Sequence, residues 1–213
     1  MATRKTPSSS GKHPPDRGPA PGEERLVALA KRVSDASGTP VVGGVAVILH
    51  GGGRATSDID IYTPDLWATH QRLEDAGILW NSQRREHLID GVPVHMVGDE
   101  QFGGPPSRVS TIRGVRVVGL ADLVRVKLTL GLDDVKRHKD ITHVVDLIER
   151  IPLKKDFAAK LPTRLRSAFK ELVEQVHGKR GSPVPPISSR EYFARYGAKH
   201  APKLATPRRR AAI

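Results

Sequence analysis

Two aspartates one residue apart close the run Val41 to Tyr62, VVGGVAVILHGGGRATSDIDIY. The stretch Asp58-Ile59-Asp60-Ile61 alternates strictly between acidic and apolar residues. Residues two apart in a strand point to the same face. Ile59 and Ile61 therefore demand a core on one side of the strand, and Asp58 and Asp60 an open face on the other. Two carboxylates about 7 Å apart along a strand repel unless something positive sits between them. A divalent cation meets that need. Magnesium takes a few carboxylate oxygens and completes its shell with water and substrate phosphates.

The residues upstream narrow the reading. Val41-Val42 is a short apolar strand ending in Gly43-Gly44, and Val45 to Leu49 can begin a helix. A strand that turns through two glycines into a helix start offers bare backbone N–H groups and a positive helix end to a phosphate. Thirteen residues separate Gly44 from Asp58, enough for one helix and a return loop. Phosphate cradle and carboxylates are thus expected on adjacent strands.

Glycine-glycine, helix, then Asp-x-Asp on a strand resembles the nucleotidyltransferase superfamily. Ala46, His50-Gly51, Arg54 and Thr56 are similar to positions in the minimal nucleotidyltransferases of bacterial toxin–antitoxin and abortive-infection systems. So are Leu120 to Leu128, His138-Lys139-Asp140 and Asp146-Leu147-Ile148. The resemblance covers residues 22 to 151. It implies transfer of a nucleoside monophosphate from an NTP to an acceptor, with Mg2+ (or Mn2+) held by Asp58 and Asp60. It also implies phosphate contacts from Gly43, Gly44 and Lys127, with Arg54 and Thr56 near phosphate or acceptor.

One position departs from the family pattern. A third carboxylate belongs on a later strand, where this chain reads Gly91-Val92-Pro93-Val94-His95-Met96-Val97. His95 stands in its place. A neutral histidine can accept a proton near pH 7 or bind a metal, so His95 is expected to act as base or as an outer metal partner. The alternative is a catalytically impaired member that binds nucleotide or a partner. Asp90 sits in an Asp-Gly hairpin turn and Asp99 beyond the strand's end, so neither replaces the missing acid.

The net charge of +12 suggests a nucleic-acid binder, but its distribution is narrower than that. Residues 178–213 hold nine Lys/Arg against one Glu, and residues 1–21 four Lys/Arg against one Asp. The 156 residues between them hold 22 Lys/Arg against 21 Asp/Glu and are nearly neutral. A basic tail can bind RNA, such as tRNA, through counterion release without reading sequence; it can equally be a solubilising tail. A nucleic-acid binder driven by the tail alone, with an idle core, is the third reading. The chain has no cysteine, which excludes disulfides and thiolate metal sites and fits a cytoplasmic location. No apolar stretch is long enough to span a bilayer, and residues 1–21 lack the apolar core of a secretory signal. The partners expected are an NTP, RNA and a cognate antitoxin, and no membrane.

The coarse pattern gives four regions: a basic, Pro/Ser-rich tail at 1–21, a nucleotidyltransferase-like core at 22–119, a helical portion at 120–177 and a Pro-rich basic tail at 178–213. Helices are expected at 22–36, 45–50, 64–76, 120–131, 138–150 and 157–177. Strands are expected at 41–43, 58–62, 78–82, 84–89, 92–97 and 109–118. In the fourth-region tail, Tyr192, Phe193 and Tyr196 could form a local anchor. The fold class is α+β: a mixed β-sheet with flanking helices and a helical C-terminal portion. Other enzyme classes are excluded by what is missing. His50-Gly51-Gly52-Gly53 would suit a hydrolase oxyanion loop, but the chain has no Gly-x-Ser-x-Gly elbow. It has no P-loop either. His87, His138 and His143 show no metal-ligand spacing and read as surface or helix-packing residues. Asp140 is expected to help fix the Lys127 helix.

Overall fold

The computed structural model describes residues 22–53 and 56–178. Arg54 and all but Gly178 of the basic C-terminal segment lie outside the described residues, as does the 1–21 tail. Seven strands form one mixed sheet: β1 (Val41–Val42), β2 (Ile59–Tyr62), β3 (Leu79–Asn81), β4 (Glu86–Ile89), β5 (Val92–Val97), β6 (Val109–Ile112) and β7 (Val115–Val118). Their spatial order is β3-β4-β5-β2-β1-β7-β6. β2 runs antiparallel to β1 and parallel to β5, and β1 runs parallel to β7. The expected mixed α+β architecture is present.

Helices α1 (Glu23–Ser37), α2 (Gly43–Leu49), α3 (Leu66–Asp75) and α4 (Asp99–Phe102) alternate with the strands, and α5 (Leu120–Asp133), α6 (His138–Arg150) and α7 (Thr163–His177) follow them. α1 packs on β7, β2 and α3, whereas α5, α6 and α7 pack on one another, and α5 also reaches α2. The sequence dictates α1 by apolar residues at Leu26, Leu29, Ala30 and Val33, all buried. It stops at Gly38, whose φ of 69° is the left-handed cap conformation. Ile59 and Ile61 have no exposed surface. Each stabilises the centre of the sheet by about 2 kcal/mol.

The structure corrects several expected boundaries. The single strand at 109–118 is a hairpin, β6 and β7, turned at Arg113-Gly114. Both residues have positive φ, 51° and 77°, as a two-residue turn between twisted strands requires. Arginine is an unusual choice there; its guanidinium is tied to Glu23 and Glu24 at the start of α1. The expected helix 157–177 is broken. A 3-10 segment, Lys155–Lys160, precedes α7, because Pro162 has no N–H to continue a helix. α3 starts at Leu66, with Asp65 capping the Ala68 N–H at 2.9 Å. Leu66 and Trp67 are exposed on this helix, and its buried residues are Thr69 and Leu73.

Candidate active site

β1, β2, β5 and β4 are consecutive in the sheet, and each contributes one position to a single row. Val42 pairs with Asp60 across β1 and β2, and Asp60 pairs with His95 across β2 and β5. The β4–β5 hairpin pairs Ile89 with Val92, Leu88 with Pro93 and His87 with Val94. One step further along, Glu86 meets His95: their Oε2 and Nε2 atoms are 3.2 Å apart. The row therefore reads Glu86, His95, Asp60, Val42, and Gly43 follows Val42 at the start of α2.

The glycines are explained by this crowding. Gly43 has φ of 66°, and a Cβ there would lie 1.8 Å from Asp60 Oδ2. A Cβ on Gly44 would lie 2.6 Å from Thr56 Oγ1. The pair lets the backbone at the start of α2 approach Asp60 and Thr56 closely. Thr56 Oγ1 in turn donates to Asp58 Oδ1 at 2.5 Å. Asp58 lies in the bend just before β2 rather than within the strand, yet its carboxylate still reaches Asp60's neighbourhood.

His95 gathers the carboxylates. Its Nδ1 is 3.4 Å from Asp60 Oδ1 and 3.8 Å from Asp58 Oδ2. One ligand atom each from Asp58, Asp60 and His95 fall within 4.8 Å of one another, so the three can hold one metal ion. The hydrogen bond to Asp60 pushes the His95 pKa up; burial opposes it, and Glu86 and the two aspartate charges add to the rise. The result is about 9. At neutral pH, with no cation competing for Nδ1, the ring carries a proton. In that state it cannot act as a base.

Sequence reasoning missed Glu86. It is only 6 % exposed, and its Oε1 is buried without a hydrogen-bond partner, with Arg84 Nη1 at 3.9 Å. A buried carboxylate in that condition calls for positive charge nearby. The signal was present: counting pairs outward from the Asp90-Gly91 turn sets Glu86 opposite His95.

The facing wall comes from α5 and α6. Lys127 is buried, and its Nζ donates to Asp140 Oδ1 at 2.8 Å. Arg137 Nε donates to Asp140 Oδ2 at 2.9 Å. Asp140 thus holds the Lys127 helix to the next one, as expected. Burial alone would raise the Asp140 pKa, but His143, Lys127 and Arg137 outweigh it and hold the carboxyl well below the usual carboxylate range. His143 lines the cleft, with a buried Nδ1 that makes no hydrogen bond. Both walls enclose a cleft of about 370 Å³ that also reaches Gly43, Gly44, Thr56 and Lys139. The structure thus brings Asp58, Asp60, His95, Gly43, Gly44, Thr56 and Lys127 to one place. Arg137, not singled out in the sequence, joins them, as do Lys139, quoted only within the family motif, and His143, expected to be a surface or helix-packing residue.

Behind the cleft, Asp146 Oδ2 accepts the Gly53 N–H at 2.7 Å, and Arg150 holds its other oxygen. His50 Nε2 lies 2.8 Å from the Val118 carbonyl, and burial lowers its pKa. Asp99 is engaged by the Tyr62 hydroxyl. Tyr62 is pushed up to about 12 by burial and by that carboxylate. Asp90 pairs with Arg32 at 2.9 Å, on the far side of the hairpin turn.

A second group, His70, Glu74 and His87, lies between α3 and the β3–β4 hairpin. Of the two expected places, surface or helix packing, His87 takes the second, against His70 of α3. It is fully buried, with Nδ1 2.8 Å from the Ile78 carbonyl and Nε2 2.9 Å from His70 Nδ1. Both ring nitrogens are thus engaged within the protein, and burial lowers its pKa.

No helix among the described residues is long and apolar enough to cross a membrane. No protein-family model matches the chain, and no curated protein matches it. A solved structure, that of a candidate nucleotidyltransferase from H. pylori, is similar over 84% of this chain and 93% of its own, at 13% identity and a TM-score of 0.43.

Proposed function

We propose that this chain is a metal-dependent nucleotidyltransferase that moves a nucleoside monophosphate from an NTP to an acceptor. The observation that carries the reading is the polarity of the cleft. Asp58 and Asp60 converge with His95 on one wall, and Lys127, Arg137 and Lys139 line the other. The Glu86 carboxylate behind His95 and the carboxylate-rich donor set both fit a bound cation. Asp58 and Asp60 would hold Mg2+ or Mn2+. Such an ion neutralises triphosphate charge and favours in-line displacement of pyrophosphate.

The chain's own residues do the rest. Gly43 and Gly44 leave backbone N–H groups bare for a phosphate, and Thr56 fixes the rotamer of Asp58. Lys127 uses one of its three donors on Asp140, and the other two remain for phosphate oxygens. Arg54 belongs with these nucleotide contacts by its place in the loop before the aspartates. The acceptor is RNA, such as tRNA, on the strength of the basic segment 178–213; a protein hydroxyl or a small molecule would use the same chemistry. A toxin role with a cognate antitoxin in the cytoplasm rests on the motif resemblance alone.

The test is incubation of the full chain with each α-labelled NTP, Mg2+ or Mn2+, and total cellular RNA. Label on RNA that disappears in Asp58→Asn supports the reading. Absence of transfer to RNA, to the protein and to small acceptors under every metal contradicts it. Growth arrest on induction, relieved by Asp58→Asn, is the corresponding test of toxicity.

One observation favours a second reading, a nucleotide-binding member with impaired transfer. His95 stands where the family's third acid belongs, and its proton is held up to a pKa of about 9. This reading expects NTP binding without transfer in the natural chain, and transfer in His95→Asp.

A further inference from the structure

We infer that His95 binds the cation directly through Nδ1, aimed by Glu86, and that the resulting one-nitrogen, two-carboxylate site takes first-row transition dications in preference to magnesium. This rests on the metal-dependent reading above and specifies its metal.

The geometry supplies the case. A carboxylate only accepts hydrogen bonds, so the Nε2 that faces Glu86 Oε2 at 3.2 Å carries a hydrogen. Nδ1 is the ring atom turned toward Asp60 and Asp58, at 3.4 and 3.8 Å. Ligand atoms bound at about 2.1 Å around one ion are roughly 3.0–3.4 Å apart, so these donors need only a small inward shift. A histidine that donates its outer N–H to a carboxylate and offers its inner nitrogen is the usual carboxylate–histidine–metal arrangement.

Glu86 fits that outer position, with Oε2 on His95 Nε2 and Arg84 Nη1 3.9 Å from Oε1. It is buried, Oε1 has no hydrogen-bond partner, and its strand places it opposite His95 by register. A cation on the far side of the imidazole supplies through the ring the positive charge that a buried carboxylate needs. Neither Asp58 nor Asp60 has such a carboxylate behind it; Asp58 leans on the Thr56 hydroxyl.

The choice of ion follows from the donors. Magnesium favours an all-oxygen octahedron and gains little from imidazole. Imidazole nitrogen strengthens binding along the first-row series, from manganese upward to cobalt and zinc. An aspartate at 95 would restore three oxygens and level that preference.

The experiment loads the full-length protein with Mn2+ and records pulsed electron paramagnetic resonance for nitrogen-14 modulation from a bound imidazole. Mg2+ and Co2+ are then titrated in as competitors. Expected are an imidazole nitrogen signal that vanishes in Asp58→Asn together with the bound Mn2+, and vanishes in His95→Asp while Mn2+ stays bound. Co2+ should displace Mn2+ far more readily than Mg2+ does, with the gap narrowed in His95→Asp. Glu86→Gln should weaken Mn2+ binding by about 10-fold or more and diminish the nitrogen signal. Mn2+ bound at an Asp58-dependent site without a nitrogen signal overturns this inference and leaves the nucleotidyltransferase reading standing. No Asp58-dependent binding of any of the three ions overturns both. The wild-type spectrum alone decides the nitrogen question should a variant fail to fold.

Discussion

The two walls of the cleft solve the same problem, charge out of water, with opposite balances. On the helical wall one carboxylate, Asp140, is shared by Lys127 and Arg137, and the Lys127 and Asp140 side chains are only 7% and 2% exposed. On the sheet wall three carboxylates, Asp58, Asp60 and Glu86, surround the imidazole of His95, with Arg84 Nη1 3.9 Å from Glu86. The Asp58, Asp60 and His95 side chains keep 24–37% of their surface. The first cluster pairs its one carboxylate fully, while Lys127 keeps two donors, and His143 a buried Nδ1, without a hydrogen bond. The second is open, short of positive charge, and holds a buried oxygen with no hydrogen bond. The two clusters thus differ in the sign of charge that their own pairs leave over. The cleft between them is polarised, attracting a cation to the sheet and an anion to the helices.

The largest effects should come from breaking the open wall. Asp60→Asn keeps the size of the side chain and removes one of the few negative oxygens in the row. Transfer from an NTP should fall by roughly 10³-fold, the several kcal/mol that a correctly held metal contributes. Divalent-cation affinity, read by calorimetry, should fall with it, while the melting temperature of the metal-free protein changes little. Unchanged metal-dependent turnover in Asp60→Asn would remove the sheet wall from the chemistry.

The closed wall should answer in stability. Asp140→Ala strands the buried ammonium of Lys127 and costs about 3 kcal/mol, measured by denaturant titration. The double variant Lys127→Met/Asp140→Leu replaces the pair with apolar bulk and should recover most of that loss. If the single variant were as stable as the natural chain, the Lys127–Asp140 pair would not be what holds the helical wall together. Next in size is Gly43→Ala. It forces a Cβ into the space of Asp60 Oδ2 at a backbone φ of 66°, and should destabilise by about 2 kcal/mol while displacing the carboxylate.

Much of this was legible in the sequence because it depends on period and turn. The alternation in Asp58-Ile59-Asp60-Ile61 fixed which side of β2 is core. The glycines after Val42 marked the close approach of α2, although the space they free is filled first by Asp60 and Thr56. Glu86 was also within reach, since the Asp90-Gly91 turn sets every pair of the β4–β5 hairpin. What sequence could not give was long-range packing. Arg137 and His143 enter the cleft because α6 folds back on α5, a contact no local pattern encodes. The burial of His87 depends on α3 lying over the β3–β4 hairpin. The Arg113-Gly114 turn was hidden because arginine is a poor advertisement for positive φ; the pairing of its side chain with Glu23 and Glu24 is what the local rule leaves out.

The smallest effect is the most direct probe of the open wall. In the metal-free protein the His95 pKa is raised from 6.5 to about 9. A group whose folded pKa is raised binds its proton more tightly when folded. The stability it contributes is fully present below pH 6.5, where the ring is protonated in both states, and is lost as pH rises through about 9. With the ring 37% exposed, solvent screening leaves a loss of about 1 kcal/mol across that window. Thermal melts of the metal-free chain between pH 6.5 and 9.5 should therefore slope downward, and those of His95→Gln should be flatter. Asp140, whose pKa is depressed, contributes nothing to that slope, because its carboxylate stays ionised in both states throughout the window. Its contribution is lost only in acid. The two walls should thus separate along one pH axis, the open one weakening toward alkali and the closed one toward acid. Parallel profiles for the natural chain and His95→Gln would mean that the imidazole does not hold the carboxylates together.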